Sequence, residues 1–173
     1  MVKKIVATLV VLMVSVTTFL ITAAYVQYNL ITHSVYYAQH VPHSDNTDPV
    51  LMNLVDNIRF VYHPEINGIG YDFDGKPAIL FYDKNGEQTG FITAIAYGYY
   101  CNNDDSRYRF DHHFELTSIF DETTSTNVNM NTISKDEVVN NLYIKLQPLI
   151  DRQTEPDINL QWIFNIVYKD KFD

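Results

Sequence analysis

The chain has 173 residues, 46% of them apolar and 19% charged, a balance that suits one folded domain and excludes wholesale disorder. Two of its 12 basic residues, Lys3 and Lys4, precede position 26 and all 21 acidic residues follow it, so the remainder is two units more negative than the whole chain's −9. Such a body repels phosphate backbones and anionic headgroups, which disfavours nucleic acid as a partner. The single cysteine, Cys101, excludes an intrachain disulfide framework and a zinc ribbon.

The run from Ile5 to Val26 is free of charge. As a helix it would extend roughly 33 Å, against a hydrocarbon core of about 30 Å. Lys3 and Lys4 precede it and no basic residue follows until Arg59, so the positive-inside rule puts the N-terminus in the cytoplasm and the body outside. The expected layout is a transmembrane anchor over 1–26, a stalk over 27–48 and an extracytoplasmic domain over 49–173. That makes the chain a single-pass cell-membrane protein whose body faces outside. The alternative is a cleaved leader ending at Thr22-Ala23-Ala24, although the run exceeds the ~7–15 apolar residues usual for one.

Asp48-Pro49 is an N-cap followed by proline at the first helical position, and predicts a short helix over 49–57 carrying Leu51, Leu54 and Val55. Ile58 to His63 reads as extended before Pro64. Three β-rich runs follow, 69–74, 77–83 and 88–100. Asn85-Gly86 predicts a type I′ hairpin that pairs Phe81 with Gly90. Leu80, Tyr82, Phe91, Ile95, Tyr97 and Tyr99 then share one face; Ile79, Phe81, Ile92, Ala94, Ala96 and Gly98 share the other. The second face is small at its far end and suits a helix packed against it.

Residues 107–120 alternate as a further strand, with His112 on the apolar side, and a shorter strand is expected near 127–132. Ser134 to Glu137 has capping-box spacing, and Val139, Leu142, Leu146 and Leu149 mark a helix that Pro148 should kink or end. Leu160, Trp162, Phe164, Ile166 and Tyr168 alternate as a closing strand. The expected fold class is α+β: an N-terminal transmembrane helix, then a mostly antiparallel β-sheet with helices packed on one face.

Chemistry-bearing patterns are weak. His33, His40 and His43 match no metal spacing, and adjacent strand residues His112 and His113 should point to opposite faces. Asp72 to Gly75 and Asp83 to Glu87 lack calcium-loop ligand spacing and read as turns. Cys101 precedes Asn102-Asn103-Asp104-Asp105, a setting that disfavours a thiolate. Neither enzymatic activity nor a cofactor is expected. Thirteen tyrosines and the acidic body instead suggest a surface for a basic protein. The partner-binding candidates are Tyr82, Phe91, Tyr97 and Tyr99 with Asp72, Asp74, Asp104 and Asp105.

The anchor MVKKIVATLVVLMVSVTTFLITAAYV and the acidic meander GIGYDFDGKPAILFYDKNGEQTGFITAIAYGYY, followed by helix and strand, resemble the TipC immunity proteins of Gram-positive bacteria. These are membrane-anchored antagonists of secreted LXG-type toxins such as the lipid II-cleaving TelC. The likeness is one of layout and carries no individual residue across. It implies an extracytoplasmic inhibitor that binds and occludes a toxin domain. An accessory component of an envelope or secretion assembly, or an extracytoplasmic hydrolase, is the alternative from composition and layout.

Overall fold

The computed structural model describes residues 2–172 apart from Asn46, Tyr97, Asp104, Asn131 and Thr132. Its first element, α1 (Val2–Thr32), is long and apolar enough to cross a membrane, and its most apolar stretch is not buried in the protein. The hydroxyls of Thr8, Thr18 and Thr22 donate back to the carbonyls of Lys4, Val14 and Thr18 at 3.0, 2.9 and 2.9 Å. These three hydroxyls are thereby satisfied within the helix, as suits a hydrocarbon solvent.

The segment expected as a stalk is folded into the body. α1 runs on to Thr32, α2 (Ser34–Ala38) follows, and Leu30, Val35, Tyr37, Ala38 and Val41 all lie in the core. Tyr37 is the hub. Its hydroxyl donates to Asn29 Oδ1 at 2.6 Å and accepts the Leu160 N–H at 3.0 Å, while Gln161 Nε2 donates to the Tyr37 carbonyl at 3.0 Å. The end of α1 is thus tied to a segment more than a hundred residues away in the chain.

Asp48 and Pro49 open α3 (Pro49–Asp56) as expected: Asp48 Oδ1 accepts the Leu51 N–H at 3.0 Å. The extended reading of 58–63 gives way to turns, with the Phe60 and Val61 N–H groups donating to Asn57. Ile58 and Val61 nonetheless keep the inward face that Leu51, Leu54 and Val55 set up.

The sheet is a seven-stranded antiparallel meander in sequence order: β1 (Ile69–Asp72), β2 (Ala78–Tyr82), β3 (Gln88–Ile95), β4 (Gly98–Asn103), β5 (Ser106–Phe110), β6 (Leu116–Asp121) and β7 (Thr126–Asn127). The β2–β3 hairpin has a three-residue loop, and within Asn85-Gly86 only Gly86 takes positive φ, at 82°. The Asp83 N–H donates to the Glu87 carbonyl at 2.9 Å and the Gly86 N–H to the Asp83 carbonyl at 3.1 Å, so the turn is not type I′. A bulge between Phe81 and Tyr82 absorbs the extra loop residue, and Phe81 pairs with Gly90 after all.

Two expected strands are each two. The run 88–100 breaks at Ala96 (φ 48°), and 107–120 breaks at 111–115, where Phe114 sits at φ 67°. His112 therefore lies exposed in a turn rather than in the core, its ring 3.9 Å from that of His113.

After β7, α4 (Lys135–Ile150) buries Val138, Leu142, Leu146 and Leu149, and Pro148 lies inside it without ending it. The Ser134 side chain makes no capping bond, so the expected capping box is not formed. The expected closing strand is instead α5 (Gln161–Val167), followed by α6 (Lys169–Phe172). Leu160, Ile163, Phe164 and Tyr168 turn inward at spacings of three, one and four, which is helical.

The fold is α+β. α3 and α4 cover one face of the sheet, where Tyr71, Ile79, Ile92, Cys101, Tyr108 and Ile119 line up across β1 to β6. α2, α5 and α6 pack beyond α3 around Tyr37, Phe164 and Phe172.

Two substitutions test these assignments in the micelle-solubilised chain by urea unfolding. Gly86→Ala, which forces a Cβ into the left-handed region, should cost about 1–2 kcal/mol, whereas Asn85→Ala should cost far less. Tyr37→Phe, which leaves Asn29 Oδ1 and the Leu160 N–H unpaired in the core, should cost about 1–3 kcal/mol.

Candidate functional site

The sheet face turned away from α3 and α4 is where expected binding residues meet. Leu80, Phe91, Asn102, Arg107 and Phe120 form a row across β2 to β6, about 19 Å wide at the usual strand spacing. Tyr100 and Arg109 pair beside it, with the Arg109 guanidinium 5.5 Å from the centre of the Tyr100 ring. Tyr82 joins the face by lying over Gly70, where an added Cβ would come within 2.7 Å of its ring. Leu80, Tyr82, Phe91, Tyr100 and Phe120 are all half-buried and lie outside the core cluster.

The expected binding set is only partly assembled. Tyr82 and Phe91 share the uncovered face; Tyr97 and Asp104 lie outside the described residues. Tyr99 is corrected to the opposite face. The turn at Ala96 reverses the chain, so Tyr99 pairs with Ala94 and Phe110, packs 4.7 Å from Phe114 and is only 3% exposed. Burial pushes its hydroxyl well above the ordinary tyrosine range, with the nearby Asp56 carboxylate adding to the shift. Tyr100, one residue along, faces the way Tyr99 was expected to.

The acids separate as well. Asp72 and Asp74 lie at the β1–β2 turn, whereas Asp105 is exposed at the opposite end of the strands. Four aspartates, moreover, build the turns they begin. Asp72 Oδ1 accepts the Asp74 N–H at 2.8 Å, and Asp83 Oδ1 accepts those of Asn85 and Glu87 at 2.8 and 2.9 Å. Asp111 Oδ1 accepts the N–H groups of His113 and Glu115, both at 2.9 Å, and Asp121 Oδ1 those of Thr123 and Thr124 at 2.8 and 3.1 Å. The N–H of Glu87 at Asp83, and that of Thr124 at Asp121, hold these two carboxyls below the usual carboxylate range. Asp83, Glu87, Asp105, Asp121 and Glu122 thus give one end of the sheet an acidic rim.

A second concavity, of about 320 Å³, lies between α3 and α4 and is lined by Asp48, Lys135, Asp136 and Tyr143. Its central carboxylate is already engaged: Asp48 caps α3 and accepts the Tyr143 hydroxyl at 2.7 Å, and Lys135 pairs with Glu115. Burial raises the Asp48 carboxyl, while the Leu51 N–H and the Tyr143 hydroxyl draw it down. This is the geometry of a structural joint. Among the described residues, no group of three or more His, Cys, Asp or Glu side chains is placed to hold a metal ion.

The two faces are separable by stability. Tyr99→Ala should cost about 3–5 kcal/mol on urea unfolding, as loss of a buried aromatic does. Phe91→Ala, on the uncovered face, should cost clearly less.

Compared with known proteins, the chain matches no family model, no curated protein and no solved structure, so the site is read from its geometry and charge alone.

Proposed function

We propose that the chain is an outward-facing, membrane-anchored immunity protein that binds a secreted antibacterial toxin domain and occludes it. The observation that carries this reading is the uneven packing of the sheet: its other face is built into the core, while Leu80, Tyr82, Phe91, Tyr100 and Phe120 stay half-buried around the small buried side chains of Ala78 and Thr93. Half-buried aromatics on a rigid sheet supply contact area at low entropic cost. The two arginines on the face differ: Arg107 is offset by the Glu122 carboxylate, while Arg109 keeps its charge over the Tyr100 ring. The field is set by the acidic body and the rim, which steer a basic domain toward the face.

The helix α1 would hold this surface at the membrane. Stoichiometric occlusion needs no catalytic group.

The test is protection and binding. Cells displaying the chain should survive an LXG-type toxin encoded beside it, and the micelle-solubilised chain should bind that toxin's C-terminal domain. Phe91→Ala and Tyr100→Ala should each weaken binding by about 2 kcal/mol or more, with the fold retained. Equal killing of cells with and without the chain would overturn the proposal.

A further inference from the structure

The amphipathic reading of α5 leaves three large apolar side chains unexplained. Trp162, Ile166 and Val167 are 65, 69 and 60% exposed, although they belong to a folded helix whose other side is anchored by the fully buried Phe164. Single exposed hydrophobics are ordinary, but three on one seven-residue helix form a patch that calls for a cover. From Ile158 to Tyr168 there is no charged residue, and Ile158 is exposed too.

The position of the patch identifies the cover. α5 lies alongside α1, separated by an open groove of about 560 Å³ lined by Phe19, Ala23 and Val26 of α1 and by Ile163, Val167 and Tyr168. Those α1 residues belong to the charge-free run Ile5–Val26. A helix entering the bilayer near Ile5 uses about 20 residues to cross it, which puts residues 19–26 in the leaflet on the body's side and at its headgroup boundary. The Tyr37 hub fixes α5 beside that level, because the Leu160 N–H and Gln161 side chain at the entrance to α5 both bond to Tyr37. Tyr25 and Tyr28, exposed on the same part of α1, and Trp162 on α5 then form the aromatic belt that marks a membrane–water interface.

We infer that α5 is an interfacial helix: Trp162, Ile166 and Val167 insert among the lipids of the leaflet next to the body, and the groove between α1 and α5 takes lipid acyl chains. The body is thereby fixed to the membrane at two points, a spanning helix and a shallow one, rather than hanging from a single tether. Insertion of such an apolar face reaches about 5–10 Å into the headgroup–acyl boundary. The inference rests on α1 crossing the membrane and is independent of what the uncovered sheet face binds.

Trp162 is the chain's single tryptophan, so its emission reports on α5 alone. The full chain is reconstituted in phosphatidylcholine vesicles whose acyl chains carry bromine either near the headgroup or near the methyl end. Emission should be blue-shifted, lose most of its intensity to the shallow bromines and less to the deep ones, and resist iodide added to the water. Ile166→Asp with Val167→Asp, both at exposed positions, should shift the emission to the red and restore sensitivity to iodide. Water-like emission that iodide quenches and brominated lipid does not would overturn the inference. So would shielding from iodide that disappears when the protein is diluted in lipid, which would assign the patch to a second copy of the chain.

Discussion

A helix that leaves a bilayer transmits orientation to its body only if its last turns are gripped, and here the grip is a buried polar contact. Asn29 and Tyr37 lie 4% and 0% exposed, and each satisfies the other through the 2.6 Å bond between the hydroxyl and Oδ1. Left unpaired, either group would carry a desolvation penalty large enough to favour another arrangement. Because the same hydroxyl accepts the Leu160 N–H, the pair closes α1, α2 and the entrance to α5 into one unit. Phe164 then packs at a tilt against the Tyr37 ring, with centres 5.3 Å apart, and carries the contact on to Tyr168 and Phe172. Loosening this hub would free the body to rotate on its anchor.

The sheet is ordered by an equally simple device. A meander of short strands needs a reversal every few residues, and aspartates begin four of them by accepting the N–H groups that a turn leaves without partners. These four of the 21 acidic residues therefore have a local structural cause. The field they create is no weaker for that. Asp83 and Asp121 stay ionised to lower pH than free aspartate because the turn amides stabilise the charged form.

The sequence was legible where chemistry is concentrated in few residues. Asp48-Pro49 marked the start of α3, and Asn85-Gly86 located a hairpin whose pairing of Phe81 with Gly90 holds. It was illegible where positive φ falls on residues that give no glycine signal. Ala96 and Phe114 reverse the chain in the left-handed region, so alternation ran through both turns unbroken and placed Tyr99 and His112 on the wrong side. Phe114 tolerates that conformation because its ring is buried against Phe110 and Tyr99, at 4.6 and 4.7 Å. α5 failed for another reason. Residues 160–168 are apolar at both the period of two and the helical period, and only the buried Phe164 and its neighbours decide between them. The uncovered face was half visible: Tyr82 and Phe91 follow from the first hairpin, while Tyr100, Arg109 and Phe120 need the two hidden reversals.

Folding residues 29–41 into the core changes what the anchor can do. A free stalk would let a binding surface sweep through solution far from the membrane. A body gripped at Asn29 keeps every part of itself within about one domain diameter, or about 40 Å for a chain of this size. With α1 crossing a membrane, any partner of the uncovered sheet face would have to come to the membrane surface to be caught. For a soluble ligand that restriction would be a handicap. For a partner that itself acts at the membrane, as the proposed function has it, the restriction would concentrate the binding surface where it is needed, and a fixed orientation would spare the entropy of finding one at each encounter. On the function and the lipid contact proposed above, the grip on α1, the apolar side of α5 and the half-buried sheet face would be parts of one arrangement: two surfaces holding the body against lipid and a third left open for a protein.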